Sequence, residues 1–417
     1  MHLRGKQWGT VMIAVLAVLF TLALVVYPEQ GLAAAVSGLK VFWDVVLPSL
    51  LPFFILSEIL LGLGVVSALG VLLEPLMRPL FSVPGVGAFA LSMGLAAGYP
   101  MDAVITARFR RSGLCTRIEG ERLLAFTNTA DPLFMFGAVA VGMFKSPALG
   151  ALLAVAHYAS AVIVGLTFKL YGRREEARLQ RGRADTVEPF LFRRAYRAMV
   201  NARAEDGRPF GKLLGDAVSD SIRTLLMIGG FIAFFSVFLR VLGQIGLVAV
   251  ASVPLAALFA AMHMSTDLVS PFIAGLFEID IGSAATAAAS APLVERLSVV
   301  SAIVAWSGLS VHAQVASVLT GTDIRMRPYF LARLYHALIA GVLTYILFHM
   351  GFGAGRSAYV PHAVSAMAPL FAGAAQHWEM AGMALSTWAI VLSGSLIVSI
   401  AVAVARRWRL AVWHVRS

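Results

Sequence analysis

WSGLSVHAQ, residues 306–314, places hydrogen-bonding side chains at five of nine positions inside an otherwise apolar run: Trp306, Ser307, Ser310, His312 and Gln314. Gly308 loosens the backbone between them. Something at this point needs polar groups, and the sequence on either side decides what kind of fold supplies the need.

Hydrophobic residues make up 59% of the 417 and charged residues only 13%, with a mean hydropathy of +0.83. A water-soluble globule of this composition lacks the polar surface to cover itself, so the chain belongs in a bilayer. Runs at 8–27, 45–65, 149–170, 224–242, 329–349 and 383–404 are apolar over the roughly 20 residues that a membrane-crossing helix needs. None alternates as a barrel strand does, which makes the class all-α. The single cysteine, Cys115, excludes an internal disulfide and a metal-binding cysteine cluster. With no Walker loop, HExxH or dinucleotide fingerprint in the chain, no cofactor, metal or enzymatic activity is expected.

The net charge of +11 is concentrated between spans rather than spread as a nucleic-acid footprint. Residues 172–212 carry eleven Lys/Arg against six Asp/Glu, which marks a cytoplasmic loop, read as a solvated determinant of topology. The N-terminal run is read as a retained helix, the other reading being a cleaved signal peptide with LAAA at 32–35 as a weak processing site, and both termini, the second with RRWR at 406–409, are placed on the same inner side. Arg78 and the arginines at 108, 110, 111, 117 and 122 can share that side only if residues 83–112 enter the membrane and return. Gly98 and Pro100 within AAGYPMD (96–102) supply the turn of such a re-entrant hairpin. In the second half, 243–295 must likewise enter and return, with its arms expected to meet near HMSTDLVSP (263–271). All Lys/Arg except Lys40, Lys145, Arg240, Arg296 and Arg356 then fall inside.

The order of elements repeats with opposite orientation: a span, a hairpin, a broken span and a closing span in each half. The expected fold is therefore a polytopic all-α membrane protein, an inverted repeat with two re-entrant hairpins and broken transmembrane helices. Its parts are an N-terminal helix (1–30), a first repeat (31–171), the basic loop (172–216), a second repeat (217–350), an external segment (351–381) and a C-terminal helix with a basic tail (382–417). This is a transporter architecture, with solute held near the midplane where half-helix ends expose backbone. WSGLSVHAQ occupies the third element of the second half, and FTNTADPLF (126–134) the third element of the first. Two breaks at corresponding positions argue for one shared site, because unwound backbone at membrane depth must face protein or a watery cavity.

Candidate solute contacts are Tyr99 and Pro100 at the hairpin turn, Thr127, Asn128 and Thr129 at the first break, and Trp306, Ser307, Gly308, Ser310, His312 and Gln314 at the second. Thr127, Thr129, Ser307 and Ser310 can equally bond their own backbone or join neighbouring helices, and His312 can be a packing histidine. Glu58, Asp102, Asp131, Asp267 and Glu278 are candidates for ion or proton coupling, since acids within a bilayer are costly to place without a use, interhelical pairing being the other reading. The partners are a small solute and lipid, without nucleic acid; a homo-oligomer stays open. An intramembrane hydrolase built on Ser310 and His312 is disfavoured, because positions i and i+2 do not share a helix face.

Several motifs carry a family resemblance: VFWDVVLPSLLPFFILSEILLGLGVV (41–66), LLEPLMRPLFSVPGVGAF (72–89), FTN…PLF…GAV (126–139), GLFEIDIG (275–282) and AWSGLSVHAQVAS (305–317). Over residues 10–350 the chain resembles the sporulation integral membrane protein YlbJ family, which carries nucleoside-recognition "gate" domains and is similar to concentrative nucleoside transporters. The resemblance implies a role in endospore formation, moving dipicolinic acid across the outer forespore membrane. A nucleoside-like solute, or a scaffold for spore-envelope assembly that transports nothing, are the competing expectations. Two positions depart from the family pattern: GYPMDA stands where the family reads GYPSGA, and TNTADP where it reads TNASNP. Asp102 and Asp131 thus bring carboxylates to the hairpin turn and to the helix break.

Overall fold

The computed structural model describes residues 2–173, 175, 191–352, 393–394, 396–399 and 401–402. Residues 176–190 of the basic loop, the expected external segment from 353 onward and most of the expected final span lie outside the described residues. In chain order the helices are α1 (His2–Val26), α2 (Pro28–Val41), α3 (Leu47–Gly62), α4 (Val65–Phe81), α5 (Gly87–Ala97), α6 (Met101–Arg111), α7 (Arg117–Thr127) and α8 (Ala148–Phe168). They continue as α9 (Leu191–Asp206), α10 (Phe210–Gln244), α11 (Leu247–Ala261), α12 (Val269–Phe277), α13 (Ile279–Ala288), α14 (Leu293–Trp306), α15 (Gly308–Val318) and α16 (Met326–His349). Wider π-helical turns form Phe42–Val46 ahead of α3 and Leu133–Met143 after the break that follows α7. No strand occurs among the described residues.

The halves match element for element. A long helix (α3 or α10) ends at a glycine in the left-handed region, Gly64 at φ 76° or Gly246 at φ 78°, and the chain turns into a further helix, α4 or α11. The first of these corners bends by 83°. The left-handed conformation suits glycine, which carries no Cβ to clash. Then come a hairpin (α5–α6 or α12–α13), a broken span (α7 with Leu133–Met143, or α14 with α15) and a closing span (α8 or α16).

Side-chain contacts show that the two halves run in opposite directions. Arg110 at the base of the first hairpin bonds Asp323, beyond the end of α15, at 2.6 and 2.9 Å, and Arg111 donates to the Val318 carbonyl at 2.6 Å. Arg325 bonds Glu121, near the start of the first broken span, at 2.8 Å. At the far end, Arg296 near the start of α14 lies 5.8 Å over the ring of Phe144, where the first broken span finishes. The two broken spans are therefore antiparallel, and the hairpins open to opposite ends.

Local sequence explains several of these elements. Thr116 and Glu119 form a reciprocal capping box at the start of α7, which satisfies two donors that a helix start leaves orphaned. Arg108, Arg110 and Arg111 in the last turn of α6 complement the negative end of that helix. The first hairpin turns at Gly98–Pro100, within the stretch expected from its glycine and proline.

The second hairpin corrects its expectation. Its arms meet at Glu278, between α12 and α13, whereas 263–268 join α11 to the hairpin. Pro271 does not break the chain, because it lies in the first turn of α12, where the missing N–H has no helical partner to lose. Glu278 is extended, at φ −144° and ψ 125°, and makes the reversal instead. Helices α4 and α9 are also additions to the expected order.

Candidate functional site

Each hairpin tip abuts the break of its own half. A Cβ on Gly98 would meet Asp131 Oδ2 at 2.6 Å, and one on Gly308 would lie 3.0 Å from the Phe277 carbonyl oxygen. Such approaches need bare backbone. In the first half, Asp102, in the opening turn of α6, accepts hydrogen bonds from Asn128 Nδ2 at 2.8 Å and Thr127 Oγ1 at 3.2 Å. In the second, the Trp306 indole donates to the Leu276 carbonyl at 3.0 Å. The break there is made by two consecutive left-handed residues, Ser307 (φ 69°) and Gly308 (φ 79°).

One fully buried cation joins the two breaks. Arg333 of α16 is 0% exposed. It donates through Nη2 to the Ala125 carbonyl at 2.5 Å and through Nη1 to the carbonyls of Asn128 and of Ala305, the latter at 3.4 Å. These carbonyls belong to the C-terminal ends of α7 and α14, where unpaired acceptors and the helix dipole favour positive charge. Tyr329, four residues earlier on α16, donates to Asn128 Oδ1 at 2.9 Å. Asn128 is thereby held by Arg333, Tyr329 and Asp102 together. A further bridge between halves runs from the Tyr99 hydroxyl to the Val304 carbonyl at 2.9 Å.

The helix N-termini at this level already hold carboxylates. Asp131 accepts from the Phe134 amide at 2.9 Å, Glu278 from the Ile281 amide at 2.9 Å, and Asp102 occupies the first turn of α6. Asp280, in the first turn of α13, interacts electrostatically with Asp131 and with Glu278. Positions where partial positive charge would attract an external anion are thus met by the chain's own acids.

The remaining candidates fall into two groups. Pro100 and Thr129 are buried at the first turn and break, and Thr129 bonds the Thr127 carbonyl at 3.3 Å. Ser307 bonds the Trp306 carbonyl, His312 Nδ1 bonds the Gly308 carbonyl at 2.8 Å, and Gln314 donates to Ser310 at 3.3 Å. The His312 ring is packed 4.3 Å from that of Trp306 and 4.5 Å from that of Phe330, so His312 covers part of the indole. Two acids lie elsewhere. Asp267 is exposed in the connection before α12, away from either break, since 263–268 is not the hairpin tip. Glu58 pairs with Arg108 of the first hairpin and lies 3.9 Å from Arg208. Three groups missed in the sequence complete the centre: Arg333, His157, whose Nε2 accepts from the Ala130 amide at 3.1 Å, and His336, which bonds the His157 carbonyl at 3.0 Å. A small cavity at the seam is lined by Met135, Val139, Leu153 and His157 from the first half and Ser301 and Val304 from the second.

Outside the spans, ordinary ion pairing governs titration. Hydrogen bonds from Arg110 hold the Asp323 carboxyl below its usual range, and those from Arg208 do the same for Asp206.

A family model described as "Gate: Nucleoside recognition" matches residues 43–174, from the start of the first half through α8. The sporulation integral membrane protein YlbJ of Bacillus subtilis (strain 168) is 47% identical over 339 residues, covering 81% of this chain and 83% of the relative. No solved structure matches the chain.

Proposed function

Because the chain belongs to the YlbJ family of sporulation integral membrane proteins, we propose that it carries a small anionic or aromatic solute across its membrane. Dipicolinic acid at the outer forespore membrane is the solute that the resemblance implies. The observation that carries this reading is Arg333, a buried guanidinium on which the breaks of two oppositely directed halves converge. A solute carboxylate recognises such a planar fork bidentately once a helix-end carbonyl gives way. Movement of one hairpin away from its break opens one side of Arg333, and movement of the other opens the opposite side, which is alternating access around a fixed midplane site. Solute contacts then come from Asn128 with Thr127 and Thr129, from Tyr99 and Pro100, and from the 306–314 stretch. Asp102, Asp131 and Glu278, with Asp280, exchange protons as the anion enters, relieving the repulsion that fixed carboxylates impose on a dianion. The basic end faces the cytoplasm in this reading.

A neutral nucleoside-like solute is the second reading, favoured by the carboxylates that already cover the midplane helix N-termini. Uptake into proteoliposomes separates the two. Labelled pyridine-2,6-dicarboxylate is expected to accumulate saturably and to resist competition by uridine. Uptake of uridine alone replaces the first reading with the second, and uptake of neither leaves a membrane scaffold.

A further inference from the structure

The basic loop expected to be solvated contains a helix with an unusual surface. On α9, LFRRAYRAMVNARAED, Ala195 is buried and Ala198, Met199 and Ala202 are half-buried, all on one side. That side is seated on the corner between α3 and α4, where the Met199 carbonyl and the Ala202 methyl lie against bare Gly64. Rotating round the helix from this seat, Phe192, Tyr196 and Val200 follow at i, i+4 and i+8. They form one stripe. They are 64%, 64% and 44% exposed. Arg193 and Arg197 border the stripe on its far side, with Arg194 beyond, all three exposed. Phe210 and Lys212 extend the same mixture, both exposed, onto the first turn of α10.

The level of this helix is set by ion pairs. Arg208, two residues past α9, bonds Asp206 at 2.7 Å and Asp216 at 3.1 Å and lies 3.9 Å from Glu58, near the end of α3. The helix therefore lies where the apolar spans give way to charge, and a headgroup region is its nearest neighbour. An exposed aromatic and aliphatic stripe edged by arginines suits that boundary: apolar groups enter the acyl edge and arginines reach phosphates. The charge selects anionic lipid.

We propose that α9 is an interfacial helix that docks on anionic lipid, with Phe192, Tyr196 and Val200 in the headgroup–acyl boundary and Arg193, at the edge of the stripe, on a lipid phosphate. This holds whatever the solute is. The test uses the full chain in nanodiscs, with an environment-sensitive fluorophore on Tyr196→Cys in a Cys115→Ala background. Emission is expected to shift to the blue, and to be quenched by shallow nitroxide lipids, increasingly as phosphatidylglycerol replaces phosphatidylcholine. A probe on Glu205→Cys, on another face, is expected to stay in water. A label-free arm guards against a misfolded probe variant: native mass spectrometry of otherwise unmodified protein should show phosphatidylglycerol retention weakened about fivefold in Arg193→Gln. Water-like emission at position 196 in every lipid mixture overturns the proposal, as does unchanged retention in Arg193→Gln.

Discussion

Arg333 concentrates the chemistry of the molecule in one side chain. A guanidinium buried without acceptors would be prohibitively costly, and here three carbonyls from two broken helices accept from it. Arg333→Met leaves those carbonyls facing an apolar group, at a cost of roughly 3 kcal/mol or more. The expected result is a clear drop in the melting temperature of detergent-solubilised protein, only partly recovered by Arg333→Lys, whose point charge lacks the fork. A methionine variant as stable as the parent would mean that the breaks do not depend on this contact. The sequence reading passed over the arginine, although it carried a signal: an ionisable residue inside an apolar 24-residue helix is a functional flag. Its partners carried none, because Ala125, Asn128 and Ala305 reach it from 208, 205 and 28 residues away.

At the scale of elements, the hairpins and breaks divide cleanly by how local their causes are. The first hairpin turns where Gly98 and Pro100 interrupt the helix, and Ser307–Gly308 break the second span as the opening stretch suggested. The second tip was misplaced because Pro271 and the polar residues before it look like a turn, whereas a proline in the first turn of a helix is well tolerated. Glu58 shows the same limit. It closes the base of the first hairpin through Arg108, both side chains being largely buried at 12% and 15% exposed. Glu58→Gln should cost on the order of 1–3 kcal/mol by leaving Arg108 unpaired. Thermal unfolding should register that loss, while the pH and ion dependence of uptake stays as in the parent. Altered ion dependence at unchanged stability would return Glu58 to the coupling groups.

For the whole molecule, antiparallel broken spans require the two hairpin bases to face opposite sides of the membrane. A cysteine replacing Ser112, beside the first base, is expected to react with an impermeant thiol reagent from the cytoplasmic side. One replacing Leu293, beside the second, should react from the other side, both in a Cys115→Ala background. Labelling of both from one side would overturn the inverted arrangement.

What the sequence determined by itself follows from local causes. Hydropathy over 417 residues set the solvent, absence of alternation set the helical class, and glycine and proline set the first hairpin and the polar breaks, since each acts within a turn or two of its own position. The tertiary structure alone decided where charge is compensated: Arg333 between two helix ends, Glu58 on Arg108, the midplane acids on helix N-termini, and α9 on the corner at Gly64. Charge compensation and close packing depend on which atoms lie opposite across the fold, and sequence separation carries no information about that until the two halves have closed on each other.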